Sequence, residues 1–322
     1  MASGHSESTT TVYAAIGANL VIALSKLFVA LASGSSAMLS EGIHSFVDTG
    51  NQLLLILGMK RSQRPADPMH PFGHGKELYF WSLIVAILLF GLGGGMSVYE
   101  GISHLRHPGE IRDPFWNYVV LGISLAAEST SWVVALRSFQ AQKKDDPFWP
   151  AFLSSKDPTV FTILAEDSAA IAGLLAAFAG IFLTHRTNNP VFDGAASLLI
   201  GGILAAVAVF LAVQSRGLLI GERASERVIR RIRELAESDP AIRNVQSVLT
   251  MHFGPDTILL NMDVEFQPHL AGSSLAETVD RLEGKIREEM PEIKRIFIET
   301  KSVSKLPGEK AAQPGWPTTR IG

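Results

Sequence analysis

Six runs of the chain, at about 12–33, 36–59, 78–104, 116–136, 160–183 and 193–214, meet or approach the length and apolarity needed to cross a bilayer. A hydrocarbon core about 30 Å thick takes roughly 20 apolar residues of helix. Six transmembrane helices are therefore expected. The second run is the least hydrophobic, because it holds Glu41, His44, Asp48, Asn51 and Gln52. It is counted as a span because those polar groups are clustered rather than scattered.

Charge is spread unevenly. Only 18% of the 322 residues are charged, below the roughly 25% of soluble domains. The stretch 222–305 is dense in Glu, Arg and Lys, whereas long stretches before Ser215 carry almost none. The division expected is a disordered start (1–11), a six-helix membrane domain (12–215), a soluble domain (216–305) and a disordered tail (306–322). In the soluble part, 225–237 has amphipathic helical spacing at Val228, Ile232 and Leu235. The β-like runs 245–253 and 257–266 flank Gly254-Pro255-Asp256, a turn signal. Leu275, Val279, Leu282 and Ile286 then mark a helix and 293–300 a strand, giving αββαβ with helices on one face of a small sheet.

Other totals exclude function classes. A net charge of -3 offers no basic footprint for nucleic acid. With no cysteine, any metal must be held by His, carboxylate or amide groups. The first residues lack the basic n-region of a secretory signal, and no transit peptide is evident, which points to a bacterial inner membrane. Lys60, Arg61 and Arg64, with Arg137, Lys143, Lys144 and Lys156, fall in links on one side, against Arg106, Arg112 and Arg186 on the other. By the positive-inside tendency both termini are expected on the cytoplasmic side, or on the matrix or stromal side of an organelle.

An ionisable group inside a membrane costs on the order of 3 kcal/mol or more, so each is a functional hypothesis by default. Glu41, His44 and Asp48, spaced i, i+3, i+7, share one face of the second helix. An imidazole and carboxylates converging there suit zinc. Glu166 and Asp167 supply the complement on the fifth span. Adjacent residues point about 100° apart; Asp167 is favoured as the ligand facing the second helix. Glu166 is then a proton carrier, a fourth ligand or a partner for Lys26. The bland alternative is a structural ion network.

Asp67, His70 and His74, in a Pro/Gly-rich link, form a second candidate site, against a simple solvated turn. His104 and His107 suit an interface, and His252 and His269 are lone residues. Gly91, Gly93, Gly94 and Gly95 are too irregular for a phosphate loop and suit close helix packing.

At these residues the sequence resembles the cation diffusion facilitator family of metal transporters. The likeness is carried by Ser33–Asp48, by His70-Pro71-Phe72-Gly73-His74-Gly75-Lys76 and by Asp193–Gly201. Leu164-Ala165-Glu166-Asp167-Ser168-Ala169-Ala170 is most similar to the zinc transporter nine branch. The resemblance implies a homodimer of six-helix protomers with a ferredoxin-like cytoplasmic dimerisation domain, exchanging a divalent cation for protons by alternating access. It implies a transport site at His44 and Asp48, completed from the fifth helix by Asp167. The position one turn earlier is Ile163, which cannot ligate. Glu166, Glu41 or water would then complete the site, and such an oxygen-rich set also tolerates Mn²⁺, Co²⁺ or Fe²⁺. It further implies a loop site at Asp67, His70 and His74, and a Lys76–Glu222 salt bridge between protomers. Glu299 and Lys301 stand where the last strand often carries His and Asp, so the cytoplasmic domain is expected to dimerise without sensing metal.

The functional expectation is therefore a proton-coupled antiporter that moves Zn²⁺ out of the cytoplasm. The rivals are an Mn²⁺, Co²⁺ or Fe²⁺ transporter, a metal-responsive membrane scaffold, and an intramembrane enzyme. No HExxH or GxSxG motif supports the last, and the chain is read as not an enzyme.

Overall fold

The computed structural model of the chain describes residues 9–109, 113–143, 147–270 and 272–300. The expectations placed on 1–8, Arg112, Lys144, Lys301 and 306–322 fall outside these residues. The described residues form two units, 9–222 with 252–255, and 223–251 with 256–300.

The first unit is a helical bundle: α1 (Thr9–Ser33), α2 (Ser36–Ser62), α3 (Glu77–Leu88), a π-helical stretch (Leu89–Gly95), α4 (Met96–Arg106), α5 (Phe115–Gln142), α6 (Phe148–Leu153), α7 (Pro158–Thr187) and α8 (Val191–Ile220). The start of α1 takes in Thr9 to Thr11, residues expected to be disordered. From α3 to α4 the helix is continuous, 30 residues through the π-helical stretch. Among the described residues five spans are long and apolar enough to cross a membrane, and α2 is not one of them. Yet α2 has 27 residues, about 40 Å at 1.5 Å per residue. Its low hydropathy has a physical cause. Ser40, Glu41, His44, Ser45 and Asn51 are all buried, while Phe46 and Leu53 lie exposed two turns apart. Polar groups turned into the bundle and apolar groups turned outward make α2 an inverted amphipathic helix, as the interior of a membrane protein requires.

Caps and close packing set the helix positions. Ser35 caps α2, its Oγ accepting from the Met38 N–H at 3.1 Å. Asp193, fully buried near the start of α8, accepts from the Ser36 N–H at 2.6 Å and the Ser35 hydroxyl at 2.6 Å. A carboxylate there offsets the positive end of the helix dipole. The π-helical glycines allow α8 to approach: a Cβ on Gly94 would lie 3.3 Å from the Ala205 nitrogen and the Gly201 oxygen. The short α6, with no periodic pattern to announce it, stacks Phe152 on Phe210 of α8 at 5.7 Å.

The second unit has the αββαβ order of a ferredoxin-like domain: α9 (Glu226–Glu237), β1 (Ile242–Gly254), β2 (Thr257–Phe266), α10 (Gly272–Glu289) and β3 (Ile293–Thr300). The sheet order is β1-β2-β3. β2 and β3 run parallel, with Leu260 opposite Ile296 and Met262 opposite Ile298; parallel pairing needs a crossover, which α10 supplies. Ile258, Leu260, Met262 and Val264 alternate inward along β2 onto Ile232, Leu235, Leu282 and Ile286 of the helices. This core shares no residue with that of the bundle.

Candidate metal centre

The membrane acids lie on three helices. Glu41 of α2 is fully buried, and its Oε2 accepts from Lys26 Nζ of α1 at 3.1 Å. The same ammonium donates to Ser45 Oγ at 2.7 Å. Glu41, one expectation for a fourth ligand, is therefore the counter-ion of Lys26, and the expected Lys26–Glu166 pair does not form. Its Oε1 has no hydrogen-bond partner and lies where a side chain on Gly173 of α7 would collide with it.

Glu166 instead accepts from Asn51 Nδ2 at 2.8 Å and lies in hydrogen-bond contact with Asp48. Asp48 Oδ2 also accepts from Gln52 Nε2 at 3.0 Å, and Gln52 Oε1 from Asn19 of α1 at 3.2 Å. Asp167 accepts from the Ser131 hydroxyl of α5 at 2.8 Å. The 100° step between the neighbouring acids thus sends Glu166 onto α2 and Asp167 onto α5, the reverse of the preference drawn from the sequence. Both remain around Asp48, whose charge reaches Asp167 as well. His44 is almost completely buried, and its Nδ1 has no hydrogen-bond partner.

One residue was missed. Glu128, half-buried on α5, is close enough for its charge to act on Glu41, Asp48 and Asp167. It lies on one stripe of α5 with Asn117, Leu121 and Ser124, all buried, and with Ser131, which reaches Asp167, at alternating steps of four and three. The signal was available, since an acid in the middle of an apolar span is a functional hypothesis by default.

The loop between α2 and α3 holds the tighter cluster. Asp67, His70 and His74 bring three ligand atoms within 4.8 Å of one another, the only such group among the described residues. Asp67 accepts from the Met69 and His70 N–H groups at 2.9 and 2.7 Å. Its two oxygens meet His70 Nδ1 at 3.2 Å and His74 Nε2 at 3.0 Å. The His74 hydrogen bond first, then the His70 backbone bond, holds the Asp67 carboxyl down to about 2. Gly73, at φ 89°, makes the left-handed turn that brings His74 back to Asp67. Two imidazoles and a carboxylate suit a zinc-like cation with a coordination position left open.

Lys76 donates to the Leu219 carbonyl at 3.2 Å and lies over the Phe253 ring, while Glu222 pairs with Lys156 of its own chain. Glu299 accepts from Asn261 at 3.2 Å. His104 sits 3.6 Å from Asp193, so it belongs to the polar cap of α2.

The family model described as the cation efflux transmembrane domain matches residues 12–220. The proton-coupled zinc antiporter SLC30A9, mitochondrial, of Xenopus laevis is 36% identical over 257 residues, 79% of this chain and 46% of the relative. The human protein of the same name is 35% identical over 250 residues, 77% of this chain and 44% of its own. The magnetosome protein MamM of Paramagnetospirillum magneticum is 26% identical over 290 residues, 88% of this chain and 85% of MamM. A solved structure of the MamM CTD covers 25% of this chain and all of its own, at 21% identity and a TM-score of 0.23. The chain spans a little under half the length of the SLC30A9 relatives it matches. On the match over 12–220 and these identities, the chain belongs to the cation efflux, or cation diffusion facilitator, family of membrane proteins, on the zinc transporter nine branch.

Proposed function

We propose that this protein carries a divalent transition-metal ion across its membrane in exchange for protons, with Zn²⁺ as the first substrate. The observation that carries this reading is the convergence of acids and an amide from α2 and α7, half-buried Asp48 with buried Glu166 and Asn51, with Asp167 and Glu128 beside them. So many ionisable groups in a membrane interior are costly unless a cation or protons neutralise them. The metal's ligands are His44, Asp48, Glu166 and Asp167. Such ligands bind metal only when deprotonated, so loading releases protons and reprotonation drives the metal off. That relatives are named proton-coupled zinc antiporters supports both the ion and the counter-ion. The excess of oxygen donors favours Mn²⁺ as a second substrate, before Co²⁺ or Fe²⁺.

In the same proposal the chain works as a homodimer in a bacterial inner membrane, with cytoplasmic termini and metal leaving the cytoplasm. The loop trio Asp67, His70 and His74 gathers metal at the cytoplasmic face. The 216–305 region supplies the dimer contact, and Lys76 meets Glu222 of the partner subunit.

The test is metal uptake into proteoliposomes under an imposed proton gradient, with Zn²⁺ and Mn²⁺ offered separately. Wild type accumulates one or both, and Asp48→Ala and Asp167→Ala fall to background. Equal flux in folded Asp48→Ala and Asp167→Ala protein would rule the transport site out. Binding without flux in wild type would make the protein a metal-responsive scaffold instead.

A further inference from the structure

We propose that Asn51 lends its side-chain carbonyl oxygen, Oδ1, to the transported cation as a neutral ligand. One face of α2 then supplies three donors, His44, Asp48 and Asn51. This rests on the transport reading above and refines it.

Asn51 is fully buried in the middle of α2. It follows Asp48 by three residues and His44 by seven, so the three side chains share a helix face. Its Nδ2 donates to Glu166 Oε1 at 2.8 Å. That bond sets the amide with its NH₂ toward α7 and its carbonyl on the other branch. Amide bond lengths put Oδ1 about 2.3 Å from Nδ2, hence no more than about 5 Å from Glu166 Oε1. Oδ1 therefore lies beside Glu166, and it has no hydrogen-bond partner in the protein.

A buried acceptor without a partner is destabilising and calls for an occupant. The nearest titratable neighbours are acids, which are acceptors themselves when ionised, and Lys26 is held by Glu41 and Ser45. His44 Nδ1 and Glu41 Oε1, on the same helix, also lack partners. An unfilled carbonyl lone pair beside Glu166, on the helix face that carries His44 and Asp48, is the complement of a metal ion. Asn51 also makes good the donor that Ile163, one turn before Asp167, cannot provide. Being neutral, the amide adds a ligand without adding charge, and a carbonyl oxygen favours Mn²⁺ over Zn²⁺ more than an imidazole in its place would.

The experiment uses the full-length chain in detergent, in an Asp67→Ala background that removes the loop site. Mn²⁺ is bound to protein carrying ¹³Cγ-labelled asparagine, and electron–nuclear double resonance reads the ¹³C coupling to the ion. Ligation gives a resolved coupling that Asn51→Leu abolishes, and Asn51→Leu weakens Mn²⁺ binding by about tenfold, more than it weakens Zn²⁺. The coupling is read on unsubstituted Asn51, so it stands even if Asn51→Leu fails to fold. No ¹³C coupling, with binding still abolished by Asp48→Ala, overturns the proposal: Asn51 then only positions Glu166. Binding that survives Asp48→Ala overturns the transport reading itself, and this refinement with it.

Discussion

At the scale of single residues, partners decide roles. Lys26 and Glu41 are each fully buried and joined at 3.1 Å, and each would be an uncompensated charge without the other. That pairing gives Glu41 its cation and leaves Glu166 for Asn51. In the loop, Asp67 is the acceptor on which both imidazoles converge. Its carboxyl is held to about 2 from an ordinary 3.8, chiefly by His74. A depressed carboxyl stabilises the folded loop fully above its ordinary value, and that contribution is lost as pH falls through about 2. Titrating the Asp67 carboxyl by NMR is expected to show a midpoint near 2 in the metal-free protein. His74→Ala should move it up toward 3.8; an unmoved midpoint would mean that the backbone amides alone hold it. The Asp67, His70 and His74 spacing was readable as a cluster because a turn brings near neighbours together. The choice between Glu166 and Asp167 was not, since helix rotation is set by neighbours on other elements.

At the scale of elements, glycines set how near the helices come. Lipid offers no hydrophobic drive for helix association, so packing and polar contacts carry it. A Cβ on Gly201 of α8 would lie 2.6 Å from Val98 Cγ2, 2.9 Å from the Val98 nitrogen and 3.0 Å from the Gly94 oxygen. Two of those atoms are backbone and cannot turn aside. Gly201→Ala should push α8 off α4 and cost about 1–3 kcal/mol by overpacking, read as a lower midpoint of thermal unfolding in detergent. Gly202 meets nothing within 4 Å, so Gly202→Ala is the control and should leave the midpoint unchanged or higher. Equal losses in both variants would refute the packing account. The glycine content of 91–95 announced close packing. The π-helical geometry there went unforeseen, because it answers to the approach of α8.

At the scale of the whole molecule, two cores without a common residue imply two separable stabilities. Ile232 is fully buried in the second core. Ile232→Ala should destabilise that unit by about 2–5 kcal/mol, while the bundle keeps its own unfolding transition and its Asp48-dependent metal binding. A matching loss in the bundle transition would show one cooperative unit. Hydrophobic run length determined five spans among the described residues, since lipid admits few other solutions. The period-2 and helical patterns of 225–300 determined the αββαβ order, and His44, Asp48 and Asp167 marked α2 and α7 as helices that carry polar groups inward. Tertiary structure alone decided that Lys26 belongs to Glu41, that Asp193 caps α2, that Glu166 meets Asn51, and that Glu128 joins the acids around Asp48. Local periodicity states which residues share a face. Which face meets which depends on packing between helices distant in sequence, and there a residue's charge finds or lacks its partner.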